Sequence, residues 1–161
     1  MKKRSFYLLC LTGFFLVGSL SVSQVFTKDK EKGMEEVREP AVAGAFYPNR
    51  PDVLSQDVKR YLENAKKEKI DGEIIALISP HAGYMYSGQV AASAYRLIEG
   101  KTFDTVIIIG PSHQALFKGA SLYSRGGYRT PLGVVPIDVE LSKKIMERRK
   151  EIQFLPEAHR Q

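Results

Sequence analysis

The stretch E-I-I-A-L-I-S-P-H-A-G-Y-M-Y-S-G (residues 73–88) opens on a short β-branched apolar run and leaves it through a proline. A run of this length, bounded by Asp71-Gly72 on one side and Pro80 on the other, reads as a strand over residues 73–79, buried on both faces. Downstream, Val90, Ala91, Ala94, Leu97 and Ile98 form an apolar stripe, and Gly100 closes it, which predicts a helix over 89–99. The run D-T-V-I-I-I-G (104–110) then reads as a second strand of the same kind. Strand, helix and strand in this order make a right-handed crossover unit with two parallel strands, so the fold class is α/β with a mostly parallel sheet.

Outward from this unit, residues 49–67 carry apolar side chains at Val53, Leu54, Val58, Tyr61, Leu62 and Ala65. With Asn49 as a cap and Pro51 in the first turn, they predict a helix laid on the sheet. Segments 120–124 and 133–137 read as shorter strands separated by the turn-rich R-G-G-Y-R-T-P-L-G. Residues 139–150 read as a last amphipathic helix, with Asp138 as its cap and Arg148, Arg149 and Lys150 at its dipole-complementary end.

The first residues follow a different logic. Met1-Lys2-Lys3-Arg4 is a basic start, and residues 6–17 are apolar ahead of Ser19, Ser21 and Ser23. Residues 1–23 therefore read as a secretory signal peptide cut near Ser23, or as a membrane anchor, since 6–26 is long enough to cross a bilayer at about 20 residues. Either reading places the domain outside the cytoplasm, in the periplasm or beyond, or tethered at a membrane. Residues 24–37 read as a charged linker.

At 161 residues, 43% hydrophobic and 26% charged, the chain has the composition of a folded domain. Cys10 is its one cysteine, so the part after the export segment can hold neither a disulfide nor a thiolate metal site. The formal charge is +6, of which Lys2, Lys3 and Arg4 carry three units; the remaining +3 is too small a surplus to argue for nucleic acid.

Of the three histidines, His81 follows the first predicted strand and His113 the second, each just after a proline (Pro80, Pro111). Loops after two parallel strands emerge at one edge of the sheet, where open α/β folds bind ligands. If those strands are neighbours, about 4.8 Å apart, the two imidazoles can converge on one ion. The competing reading is two loop histidines satisfied by hydrogen bonds, with Tyr84 and Tyr86 packing and Gly83 and Gly88 supplying turns. A phosphate-cradling loop fits poorly, because Y-S-G-Q has no lysine and lacks the glycine spacing.

Four strings in order, R-E-P-A-V-A-G-A-F-Y-P, S-P-H-A-G-Y-M-Y-S-G, I-I-I-G-P-S-H and T-P-L-G-V-V-P-I-D, resemble the Memo family, whose bacterial and archaeal members are called AmmeMemoRadiSam system protein B. The resemblance covers residues 38–161. It implies a three-layer αβα fold like that of the class III, non-haem-iron extradiol dioxygenases, with His81 and His113 lining a metal pocket and Tyr84, Tyr86 and Ser87 on its walls. It also implies a divalent metal, iron or copper, and, if the chain is an enzyme, a metal-dependent oxidoreductase. Radical-SAM and AMMECR-like proteins are the partners it suggests.

Family members typically continue into an E-H-S-x-E segment where this sequence ends at E-A-H-R-Q, so the resemblance implies a C-terminally truncated member holding the N-terminal part of the domain. The third metal ligand is then missing or comes from Asp138, Glu157 or His159. Two other readings stand beside the metalloenzyme. One is a non-catalytic module binding a peptide or small anionic ligand through Tyr84, Tyr86 and Arg125; the other is an inactive remnant.

Overall fold

In the computed structural model, which describes residues 5–10 and 36–160, the chain divides into two compact units. The first comprises Met1–Ser23 with Val42–Pro111, the second Gln24–Ala41 with Ser112–Gln161. Residues 1–4, 11–35 and 161 lie outside the described part. The linker and most of the export segment expected from the sequence fall there. Among the described residues no helix is long and apolar enough to cross a membrane.

In the first unit, strand β1 (Ser5–Cys10) precedes helix α1 (Pro51–Asn64), which forms where the apolar stripe predicts and buries Leu54, Val58 and Leu62. Pro51 occupies the first turn, but the cap is Arg50, with no side-chain capping bond. Asn49 is drawn instead toward Gly44, whose φ of +84° bends the preceding turn back on it.

Strand β3 (Ala76–Ser79) and helix α2 (Tyr84–Tyr95) follow, then a 3-10 turn (Arg96–Ile98) and strand β4 (Thr105–Ile108). Helix α2 starts five residues earlier than the stripe suggests, because the Gly83 carbonyl accepts hydrogen bonds from the Tyr86 and Ser87 amides, at 2.9 and 3.1 Å. Gly88, expected as a turn glycine, therefore sits inside a helix. There it lets α2 approach α1 closely: a Cβ at this position would lie 2.9 Å from the Tyr61 ring. Ala91 and Ala92, both fully buried, continue the same close-packed face.

The strands depart from expectation in two ways. Only one face of β3 is covered: Leu77 and Ser79 are buried, while Ala76 and Ile78 are exposed, Ile78 at 71%. Moreover β3 and β4 are not neighbours. Strand β1 lies between them, parallel to both, in the order β3-β1-β4. The two predicted core strands are thus two strand spacings apart, about 9.5 Å, instead of one.

In the second unit, β2 (Val37–Arg38) pairs in parallel with β6 (Gly127–Thr130), and β6 pairs antiparallel with β7 (Gly133–Pro136). The turn-rich stretch thus contains a strand that the sequence reading omits. Its hairpin closes through Thr130, whose hydroxyl donates to the Gly133 carbonyl at 2.9 Å and accepts from the Leu132 amide at 3.1 Å. A short pair, β5 (Ala120–Ser121) with β8 (Ile152–Gln153), flanks α3 (Val139–Arg148) in sequence. Asp138 caps α3 as expected, its carboxylate accepting from the Leu141 amide at 2.9 Å. Mixed helices and small sheets make this an α/β protein.

Candidate functional site

His81 stands half-buried in the loop between β3 and α2, one residue past Pro80. Because β3 and β4 are both parallel to β1, their C-terminal ends share one edge of the sheet. The loop is fixed from several sides. The Tyr84 amide donates to the Phe46 carbonyl at 2.7 Å, and the Ser87 hydroxyl to the Ala82 carbonyl at 2.8 Å. Gly83 passes so close to Phe46 that a Cβ would come within 3.3 Å of its carbonyl oxygen. These contacts hold the α2 side of the four-residue loop, 80–83, while Pro80 fixes its own φ on the strand side and so restricts the approach to His81.

The other residues expected at this site take different positions. Tyr84 is interior, 7% exposed, its ring 5.7 Å from that of Tyr47 and edge-on to Tyr61 at 6.2 Å. Ser87 is buried beneath the loop it ties down. Tyr86 points outward at 78% exposure, alongside exposed Met85 and Val90.

His113 belongs to the second unit and is exposed. It sits in a turn held by Ser112, whose hydroxyl donates to the Ala115 carbonyl at 2.8 Å and accepts from the Ala115 amide at 3.2 Å. Among the described residues no group of three or more His, Cys, Asp or Glu side chains could hold a metal ion. A shallow groove of 420 Å³ lies in the first unit, between Asn64–Ile70 and Gln89, Ser93 and Leu97. None of the expected site residues lines it.

The densest polar cluster was not anticipated. In the second unit the His159 ring bonds to the Ser121 hydroxyl through Nε2 at 2.8 Å and to the Tyr128 hydroxyl through Nδ1 at 3.3 Å. It also stacks on Phe154 at 5.6 Å and meets Tyr123 edge-on at 5.3 Å. Arg38 Nε donates to the His159 carbonyl at 2.9 Å, and the Arg38 guanidinium lies over the Tyr128 ring. Burial, with Arg38 adding to it, holds the imidazole below its ordinary pKa. Burial raises the Tyr128 phenol, against an opposing pull from Arg38.

With both ring nitrogens engaged, His159 is a structural tie between the C-terminal segment and the small sheets. Asp138, another candidate third ligand, is engaged as a helix cap. Arg125 is paired with Glu36 and lies 4.3 Å over the Phe154 ring. No motif in the sequence marks this cluster. Its members are up to 121 residues apart in sequence.

An α/β chain with a histidine on a fixed loop after a parallel strand is the class these features define. Comparison with known proteins makes that specific. A family described as "Memo-like protein" matches residues 38–161, and the chain belongs to this Memo family. It is 44% identical over 111 residues to a MEMO1 family protein of Aquifex aeolicus, covering 69% of this chain and 40% of that protein. A MEMO1 family protein of Methanosarcina mazei is 43% identical over 107 residues, covering 66% and 38%. One of Sulfurisphaera tokodaii is 36% identical over 133 residues, covering 76% and 47%. The chain thus spans less than half the length of these curated relatives.

Proposed function

We propose that this chain carries the histidine part of a Memo-type metal site, His81 and His113 being imidazole donors to a divalent iron or copper ion. The three-layer fold and the relationship to the non-haem-iron extradiol dioxygenases belong to the same reading. The observation that supports it is the place of His81 at the C-terminal edge of a parallel sheet, on a loop tied down at Ala82 and Tyr84, since a metal ligand must be placed to a fraction of an ångström. A site of the extradiol type takes two histidines and a carboxylate and leaves positions open for oxygen and substrate. The described residues offer no such three-ligand group, so among them the donor set stops at the two histidines. Oxidoreductase activity would require a further donor. Export or membrane anchoring, and radical-SAM or AMMECR-like partners, remain expectations of the sequence and the family.

The test is metal content. Purified chain is loaded anaerobically with iron(II), or with copper(II), desalted and assayed. We expect close to one ion per chain, and loss of that ion in the His81→Ala, His113→Ala double variant with its thermal melt unchanged. Equal stoichiometry in the two proteins refutes the reading.

A second reading, a non-catalytic binding module, is favoured by the exposed Met85, Tyr86 and Val90 on α2, just beyond the His81 loop. Tyr84 is interior and Arg125 is engaged with Glu36 and Phe154, so recognition would rest on Tyr86. A peptide or anion bound equally well by the double variant and lost in Tyr86→Ala would favour the module.

A further inference from the structure

Three observations in the first unit meet on β1. Strands β3 and β4 do not pair with each other. Each pairs with β1 instead, from Tyr7↔Ala76 to Cys10↔Ser79 on one side and from Ser5↔Thr105 to Leu8↔Ile108 on the other. The family match begins at residue 38, so both flanking strands come from the Memo region while the strand between them comes from outside it. Finally, Ser5–Cys10 lies in the basic-then-apolar stretch that reads as an export or anchoring segment. A segment removed by processing or held in a bilayer cannot also complete a sheet.

Without β1, strands β3 and β4 face each other across a gap about 9.5 Å wide between strand axes, the width of one missing strand. Each presents a row of unpaired N–H and C=O groups to that gap. Its borders are apolar, at Leu77 and Ile78 on one side and Val106, Ile107 and Ile108 on the other. Backbone pairing on two sides supplies affinity without demanding a particular sequence, while apolar neighbours select against charge. Proline is excluded, because a central strand needs its amide donors.

We propose that the gap between β3 and β4 is a strand-accepting site for an extended, apolar, proline-free polypeptide segment running parallel to both. Ser5–Cys10 is its resident occupant, held by backbone pairing and exchangeable for a like strand of another polypeptide. The covalent link keeps the resident strand at high effective concentration, so exchange becomes visible once that link is cut.

The experiment uses the full chain, with Met1 retained as checked by mass, carrying a protease recognition sequence inserted at residues 28–33. The protein is folded, then cleaved. The probes are labelled synthetic peptides of residues 3–12 and the same peptide with Leu8→Pro. Before cleavage, the alternate amides of Ala76–Ser79 and Thr105–Ile108 that face β1 should be protected from hydrogen exchange. After it, the N-terminal piece should co-elute with the remainder and be displaced saturably by the natural-sequence peptide. The Leu8→Pro peptide should bind at least tenfold more weakly. Rapid exchange of both sets of amides in the uncut chain overturns the proposal, as does release of the piece on cleavage with their protection unchanged. Equal binding of the two peptides also overturns it, since it indicates apolar adhesion without strand pairing.

Discussion

Replacing Gly88 by alanine sets two effects of opposite sign against each other. Gly88 lies within α2, where alanine favours the helix by about 1 kcal/mol. The new Cβ, however, would stand 2.9 and 3.0 Å from Cε2 and Cζ of Tyr61, so the ring must retreat by about 0.5–1 Å to restore ordinary carbon contact. Tyr61 is poorly placed to retreat. Its hydroxyl donates to the Tyr84 carbonyl at 3.2 Å, its ring is edge-on to Tyr84, and its own carbonyl accepts from Gln89 Nε2 at 3.1 Å. Overpacking at a fixed contact costs about 1–3 kcal/mol, so against the gain in helix propensity the net expectation is a loss of up to about 2 kcal/mol. In urea, with a slope of about 2 kcal/mol/M, the unfolding midpoint falls by up to about 1 M. Made in a Tyr61→Leu background, where the ring is gone, the same Gly88→Ala change should instead stabilise by about 1 kcal/mol. If Gly88→Ala is at least as stable as the parent while Tyr61 is present, the close approach of α1 and α2 does not govern this position.

Three further perturbations read other parts of the structure. Gly119 has φ +85°, and a Cβ there would fall 2.0 Å from the Glu151 carbonyl oxygen, so Gly119→Ala should destabilise the second unit by more than about 2 kcal/mol through disruption of the β5–β8 pair; a urea midpoint equal to the parent's would count against that geometry. Ser79 is 1% exposed and its hydroxyl has no hydrogen-bond partner among the described residues, so Ser79→Ala should be neutral or stabilising by up to about 1 kcal/mol, and a loss larger than that would mean the hydroxyl is bonded after all. Burial and Arg38 depress the His159 pKa in the folded chain below its unfolded value of about 6.5, so the unfolded chain takes up protons first as pH falls. The second unit should lose stability as pH drops from about 6.5 through the folded pKa and level off above about 7. His159→Gln should remove that slope, and an imidazole resonance titrating above the unfolded value would contradict it.

The periodic helices were legible because 3.6-residue stripes survive in any context: α1 and α3 lie close to their predicted positions, and Asp138 caps α3 as expected. The start of α2 was not, since P-H-A-G-Y-M-Y-S-G carries the punctuation of a loop. The local fact that a glycine carbonyl accepts the first helical bonds cannot be read from residue types. Both core strands were located, but a continuous apolar run says nothing about which face a helix will cover, and Ile78 proved exposed. Strand β6 was hidden in G-G-Y-R-T because its Gly-Gly start reads as a turn, and pairing with β2 and β7 on either side overrides that local signal.

At the candidate site, the position of His81 just after a strand followed from Pro80 and the preceding run. Whether Tyr84 faces a pocket or the core did not, because an aromatic beyond a strand serves either purpose. The Arg38, Ser121, Tyr128 and His159 cluster joins residues from both ends of the Memo region. Nothing local in any of those segments announces the others.

The position of β1 also orders events in time. Ser5 pairs with Thr105, so during synthesis β1 must wait for about 100 further residues before both of its neighbours exist. At roughly 5–20 residues per second that delay is about 5–20 s. Over that interval the apolar segment is open to any factor that captures nascent chains. On the proposed reading of this segment as an export signal, sheet pairing and capture compete during translation, and the outcome is decided before the fold that would shelter it has been made.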